Sequence, residues 1–183
     1  MPDGHAEGQE RSLYIAQGEH AVGRATDEVI STILGSCVAV CLWDEAAKIG
    51  GMNHILLPAH SDAAGRSGLD ESAQFGAFAM ETLINALIRE GAAKSFLRAK
   101  VFGGAAVVPG LSDIGARNSE FALAFLHAEG IPCDGKSLGG TQARHIKFWP
   151  QTGQARMRFV PEVVVDETAA PARVALASDL ELF

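Results

Sequence analysis

Val38-Ala39-Val40-Cys41-Leu42-Trp43 and Ile49-Gly50-Gly51-Met52-Asn53-His54-Ile55-Leu56-Leu57 are the two runs whose reading decides the fold. Both are short and apolar, and the first is rich in β-branched residues, so they predict extended segments over 37–43 and 49–57. Asp44-Glu45-Ala46-Ala47 between them predicts a hairpin loop. Cys37 stands at the head of the first strand, behind the break Gly35-Ser36. His54 lies on the second strand. If Trp43 closes the loop against Lys48, Cys37 falls directly opposite His54, with Cβ atoms ~4.5–5.5 Å apart. One extra loop residue, or a bulge at Gly50-Gly51, would send His54 to the other face.

That pairing has a chemical meaning. A free thiol has a pKa near ~8.5, so little thiolate exists at neutral pH, and a neighbouring imidazolium lowers it. The imidazole can take the thiol proton and later return it to a departing amine. Gly35 lets the backbone turn sharply before the nucleophile. The N–H groups around Ser36 and Cys37 are placed to receive an oxyanion, and Asn53, beside His54, is a further candidate for shaping the site. A third group normally orients the histidine, and Ser31 and Thr32 both offer a hydroxyl for it.

The rest of the chain frames this pair. With 183 residues it is long enough for one domain with a real core. A formal net charge of −7 argues against a nucleic-acid footprint and against binding to an anionic membrane surface. No apolar run approaches the ~20 residues of a membrane span. Residues 1–11 are polar, without the apolar core of a signal peptide, and read as disordered. Three cysteines without framework spacing fit a reducing cytoplasm.

Further strands are expected at 12–17, 26–34, 99–102, 131–138, 143–148 and 155–160. One helix is expected over 70–90, capped by Asp70, with Phe75, Met80, Leu83, Ile84, Leu87 and Ile88 at helical spacing. A second runs over 112–129 with Phe121, Leu123, Phe125 and Leu126 as its apolar face. Residues 60–68 read as a surface loop, and 166–183 as a flexible tail whose last five residues could dock a partner. Strands outnumber helices and hairpins outnumber crossovers. The expected class is therefore α+β, a layered and mainly antiparallel β-structure with two packed helices, in one domain over 12–165.

The other candidates have simpler readings. Cys41 lies about 13 Å from Cys37 along one strand, too far for a disulfide, and reads as core. Cys133 reads as a buried strand residue, His5 and His20 as solvated, and His145 as exposed. His127 reads as sitting near a helix C-terminus. His60 could pair with His54 on a metal, but no carboxylates are dedicated to such a site. Gly103-Gly104 and Gly139-Gly140 fit no phosphate-loop pattern and read as tight turns or close backbone approaches.

Taken in order, these motifs carry a family resemblance. Leu34-Gly35-Ser36-Cys37-Val38, then Gly50-Gly51-Met52-Asn53-His54 and Leu57-Pro58, resemble the CheD family of chemoreceptor glutamine deamidases. Downstream, Lys100-Val101-Phe102-Gly103-Gly104-Ala105, Ile114-Gly115 with Asn118, Gly130-Ile131, and Leu138-Gly139-Gly140 with Arg144 and Phe148 follow in the family's order. The resemblance covers about 12–160.

It implies a cytoplasmic enzyme without a cofactor or metal. Such an enzyme hydrolyses selected glutamine side chains on the cytoplasmic helices of chemotaxis receptors to glutamate and ammonia. The implied triad is Cys, His and Thr. Cys37 is then the nucleophile and His54 the base and acid, while the family's threonine position falls on Ser31, next to Thr32. It also implies a fold like that of the deamidating CNF-type toxins, and, for many members, a CheC-type phosphatase as partner. A binding module for receptors or CheC, with catalysis secondary or lost, is the alternative, and a small-amide hydrolase or thiol peptidase a third reading. The loop at 60–68 is expected to border the docking site.

Overall fold

The structure, a computed structural model, describes residues 10–58, 65–107 and 112–161. In chain order these form β1 (Arg11–Tyr14), β2 (His20–Gly23), β3 (Glu28–Leu34), β4 (Val38–Asp44), β5 (Ile49–Ile55), α1 (Gly65–Arg89), β6 (Arg98–Gly103), α2 (Ser112–Ala128), β7 (Cys133–Leu138), β8 (Arg144–Trp149) and β9 (Gln154–Phe159). One sheet has the order β1-β3-β8-β9 and the other β2-β5-β4-β6-β7. The α+β class with two helices stands. The sheets are mixed: β1·β3 and β6·β7 are parallel and the other five pairings antiparallel. The β6·β7 pairing is bridged by α2 and the β1·β3 pairing by β2 of the other sheet, crossovers that a hairpin-dominated reading overlooks.

Three layers result from the alternation of side chains along the strands. On β4, Val38, Val40 and Leu42 pack with Met80, Leu83 and Leu87 of α1 and with Ala122 and Leu126 of α2. The intervening Ala39, Cys41 and Trp43 pack with Leu34 of β3 and with Ile146 and Phe148 of β8. The five-stranded sheet therefore lies between the helices and the four-stranded sheet. Truncating a fully buried leucine such as Leu83 in such a layer typically costs about 2–5 kcal/mol. Phe75 and Ile88, expected on the apolar face of α1, are instead exposed.

The β4–β5 register differs from the expected one by two residues. Asp44, not Trp43, closes the loop, paired with Ile49, so His54 stands opposite Ala39. The reason lies in the loop. Lys48 takes a left-handed conformation (φ 55°). Asp44 Oδ1 accepts the N–H groups of Ala46 and Ala47 at 2.9 and 3.0 Å, and its Oδ2 accepts Ala93 N–H at 3.0 Å. Asp44 is thus the last strand residue rather than the first loop residue. A shift of two preserves the face, so Cys37 and His54 still belong to the side that faces the four-stranded sheet. The pairing passes Gly50-Gly51 without a bulge.

Other corrections are local. β2 is too short and too weakly patterned to announce itself, and exists because it pairs with β5. β1 already includes Arg11. α1 starts at Gly65, so Asp70 lies inside the helix rather than capping it, and the expected loop is helical from 65. Extending a formed helix costs far less than nucleating one, so two glycines without a proline do not stop it. Residues 59–64, with His60, fall outside the described residues, as do His5 and the tail from 162. Cys133 is exposed because β7 is an edge strand. His145 is half-buried and accepts a hydrogen bond from Arg158 Nε at 3.3 Å. His20 and His127 are exposed, the latter in the last turn of α2.

Gly103 and Gly104 form a close backbone approach. Gly103 has φ 117°, and a Cβ there would overlap the Cys37 carbonyl oxygen. A Cβ on Gly135 meets only the Lys100 side chain at ordinary contact distance, 3.5 Å or more. Gly103→Ala is therefore expected to lose more than about 2 kcal/mol in urea unfolding, and Gly135→Ala less than about 1 kcal/mol. Equal losses would contradict the close approach.

Candidate active site

Ser31 and Thr32 are neighbours on β3, so their side chains point to opposite faces. Thr32 is fully buried and turns inward to the five-stranded sheet. Its Oγ1 lies 2.8 Å from His54 Nδ1 and 2.8 Å from the Ile15 carbonyl oxygen. Ser31 turns the other way, its Oγ 3.5 Å from the Ser12 hydroxyl. Of the two hydroxyls, Thr32 alone touches the histidine.

The hydrogen bonds determine the tautomer. The Ile15 carbonyl can only accept, so the single hydroxyl proton of Thr32 goes there. Thr32 Oγ1 must then accept from His54, which places the imidazole proton on Nδ1. Nε2 is left with its lone pair, buried and, among the described residues, without a hydrogen-bond partner. A buried acceptor left unpaired is uncommon and marks a place where a donor is expected to arrive. The ring is otherwise held by its backbone: His54 N–H donates to the Glu19 carbonyl at 3.0 Å, and the His54 carbonyl accepts Gly18 N–H at 2.8 Å. Burial disfavours the charged ring and holds its pKa below 6.5.

Cys37 precedes β4 and is half-buried. Burial pushes its thiol above the ordinary value. Its Sγ donates a long hydrogen bond to Gln17 Oε1 at 3.8 Å. Thiol and imidazole are therefore both held in their neutral forms. The second strand cysteine, Cys41, is fully buried, and burial pushes its thiol up as well.

The loop that carries Cys37, the candidate nucleophile, is clamped through its carbonyls. Gly35 C=O accepts from Ala105 N–H at 2.9 Å and Cys37 C=O from Gly104 N–H at 2.8 Å. Ser36 C=O accepts from Asn118 Nδ2 at 2.8 Å. Among the described residues, no carbonyl takes the N–H of Ser36 or of Cys37, and the Cys37 N–H lies against its own Sγ. Three carbonyls turned into the protein leave a pair of N–H groups available next to Sγ. Asn53, by contrast, faces the helices. Its Oδ1 accepts Val40 N–H at 3.1 Å and its Nδ2 points at Met80 Sδ and the Ala79 carbonyl. It braces β4 from the side opposite His54.

Several residues of this geometry carried a legible signal without an assigned task. Asn118 stands one and two turns before Ala122 and Leu126, which places an amide on the buried face of α2. It is fully buried, spanning Ser36 C=O and Leu57 N–H. Arg144 alternates with Ile146 and Phe148 on the inner face of β8 and is 1% exposed. It donates to the carbonyls of Ser137 and Gly139. Gly139 N–H in turn donates to Gly103 C=O, and Ala106 N–H to Gly140 C=O, so Arg144 steadies the turn that backs the loop carrying Cys37. The Ile15 carbonyl and the link 15–19 had no sequence signal, because their part is played by backbone atoms.

Among the described residues, no three His, Cys, Asp or Glu side chains are grouped to hold a metal, and no helix is long and apolar enough to cross a membrane.

The comparisons with known proteins agree with one another. A family model described as CheD chemotactic sensory transduction matches residues 56–159, beginning just beyond His54. The part that carries Cys37 and His54 is covered by whole-chain relatives. A protein of Caulobacter sp. (strain K31), named a probable chemoreceptor glutamine deamidase CheD, is 45% identical over 190 residues, spanning all of both chains. One of Acidiphilium cryptum (strain JF-5), with the same name, is 53% identical over 82% of this chain and 78% of its own. Among solved structures, the Bacillus licheniformis hypothetical protein YfiH superposes with a TM-score of 0.37 at 15% identity, over 70% of this chain and 60% of that one. That likeness is too slight to bear on fold or chemistry. Identity near one half along the whole chain is another matter: this chain belongs to the CheD family.

Proposed function

We propose that the protein is a chemoreceptor glutamine deamidase, with Cys37 as nucleophile, His54 as general base and acid, and Thr32 as the residue that orients His54. One observation carries the assignment of roles. The Thr32–His54 bond leaves an unpaired Nε2 on the face that Cys37 shares. Family membership and the relatives' names support the substrate. The binding-module alternative is not favoured, since its one sequence argument was the serine at position 31, and Thr32 supplies the hydroxyl.

The steps follow from the geometry. His54 Nε2 takes the Cys37 proton, and the thiolate attacks the substrate Cδ. The carbonyl oxygen becomes an oxyanion facing the N–H groups of Ser36 and Cys37. The imidazolium gives its proton to the amide nitrogen, the C–N bond breaks and ammonia leaves, with a thioester remaining on Cys37. Water, deprotonated by the now neutral His54, attacks the thioester. A second oxyanion collapses, the C–S bond breaks, and the thiolate recovers its proton from His54. Throughout, the Thr32 hydroxyl keeps Nδ1–H occupied and, through Ile15, favours the ring in one orientation.

The finer statements belong to the same proposal. A receptor helix with an exposed glutamine, docked against the surface beside Cys37, is the substrate, and the cytoplasm is the compartment. The kinship with the CNF-type toxin fold rests on the resemblance and on the shared thiol–imidazole chemistry. A CheC-type phosphatase would compete for the same surface, and no feature of the described residues selects it over a receptor helix.

Mass spectrometry of receptor cytoplasmic domains incubated with the protein tests the reading. The wild type is expected to convert specific glutamines to glutamate, and Cys37→Ala to lose at least about 10³-fold in rate. Unchanged turnover by Cys37→Ala would refute the nucleophile. Thr32→Val is expected to lower kcat by roughly 10²-fold, with Thr32→Ser retaining most activity and Ser31→Ala close to wild type. The reverse order would make Ser31 the orienting group.

His54 offers a test independent of substrate. Its pKa is lowered on folding, so the stability it contributes is present above the unfolded value of 6.5 and is lost as pH falls through its own lower pKa. Proton NMR titration of the ring should find a midpoint below 6.5, and urea midpoints should fall on acidification across that window less in His54→Asn than in the wild type. A His54 midpoint at or above 6.5 would contradict a buried neutral ring.

A further inference from the structure

The link Ile15–Glu19 between β1 and β2 is tied to the catalytic face along its length. Ile15 C=O receives the Thr32 hydroxyl, and Gly18 N–H and Glu19 C=O pair with the backbone of His54. Within it, Glu19 N–H donates to Ala16 C=O at 3.0 Å and Gly18 has φ 82°, the signature of a type II turn with Gln17 at its second position. The Glu19 carboxylate braces the turn by accepting Ala16 N–H at 2.8 Å. Gln17 is exposed at the tip, and its carboxamide oxygen is the acceptor of the Cys37 thiol.

That group is chemically the same as the side chain the enzyme is read to attack, and it lies at the nucleophile. We propose that Gln17 is a built-in stand-in for the substrate carboxamide, holding the amide position beside Cys37 until a substrate glutamine displaces it. The inference rests on the deamidase reading for the identity of what displaces it. Two observations favour it. The thiol proton points to Gln17 Oε1, while His54 Nε2, the acceptor the proposed reaction needs, has no partner among the described residues. With Gln17 in place the thiol and imidazole are uncoupled, because a hydrogen bond from the neutral thiol favours the protonated form. The side chain is also free to leave: among the described residues its one side-chain hydrogen bond is a long one to sulfur, and it projects from the tip of a turn whose own bonds are all made by other atoms.

Gln17 thus acts as a competitor of substrate and a restraint on thiol reactivity. The test measures alkylation of Cys37 by iodoacetamide, itself a small primary carboxamide, in the full chain. A Cys133→Ser background removes the exposed competing thiol, and peptide-resolved mass spectrometry reports Cys37 alone. Gln17→Ala is expected to alkylate about two- to tenfold faster, the range of one modest hydrogen bond, with an unchanged thermal midpoint. On receptor domains it is expected to lower KM by a similar factor with kcat within about twofold.

An unchanged alkylation rate would overturn the proposal. A raised KM would overturn it too, making Gln17 a contact that holds substrate rather than one that substrate displaces. So would Cys37-dependent conversion of Gln17 to glutamate in the wild type, which would make it a substrate and not a stand-in. The two readings separate cleanly. Faster alkylation of Gln17→Ala without any turnover of receptor domains keeps the stand-in and removes the deamidase. Turnover of receptors with no effect of Gln17→Ala does the opposite.

Discussion

Strand β4 has no exposed residue, and the architecture follows from that. A strand buried on both faces must be covered on both, here by two helices on one side and a second sheet on the other. The same strand sends its N-terminal end out of the core at Cys37, which is only half-buried. The proposed nucleophile is therefore mounted at the end of a strand buried on both faces, with a glycine-rich clamp from β6 behind it.

The Thr32 hydroxyl is the chemical counterpart of this constraint. It joins β3 of one sheet to β5 of the other across the buried interior, and so favours one tautomer of a buried histidine. The sandwich serves the site directly: without two sheets face to face, Thr32 and His54 would not meet. The link between β1 and β2 adds the last contacts, from Ile15, Gln17, Gly18 and Glu19, and is held in turn by the histidine's own backbone.

Much of this was legible in the residues. Apolar runs bounded by polar or glycine-rich breaks marked eight of the nine strands near their observed places, and 3.6-residue periodicity marked both helices. β1 was placed one residue late, and β2 escaped because four residues carry too little pattern. The hairpin arithmetic put Cys37 and His54 on one face, which was correct because parity survives a shift of two. It missed the opposing residue because Asp44 looked like a loop residue, and only its three backbone partners make it the end of a strand.

By itself, the sequence determined which side chains are the candidates for the proposed chemistry and which face of each strand they share, because period-two alternation is a local property of the chain. It also determined the family, through ordered motifs spread along the chain. It left Ser31 and Thr32 as equal candidates. Only the tertiary structure decided between them, since both carry a hydroxyl and the choice depends on which face of β3 meets the second sheet. The tertiary structure alone also brought Ile15 and Gln17 to the site, because long-range contacts made by backbone carbonyls and by an exposed side chain leave no periodic mark in the sequence.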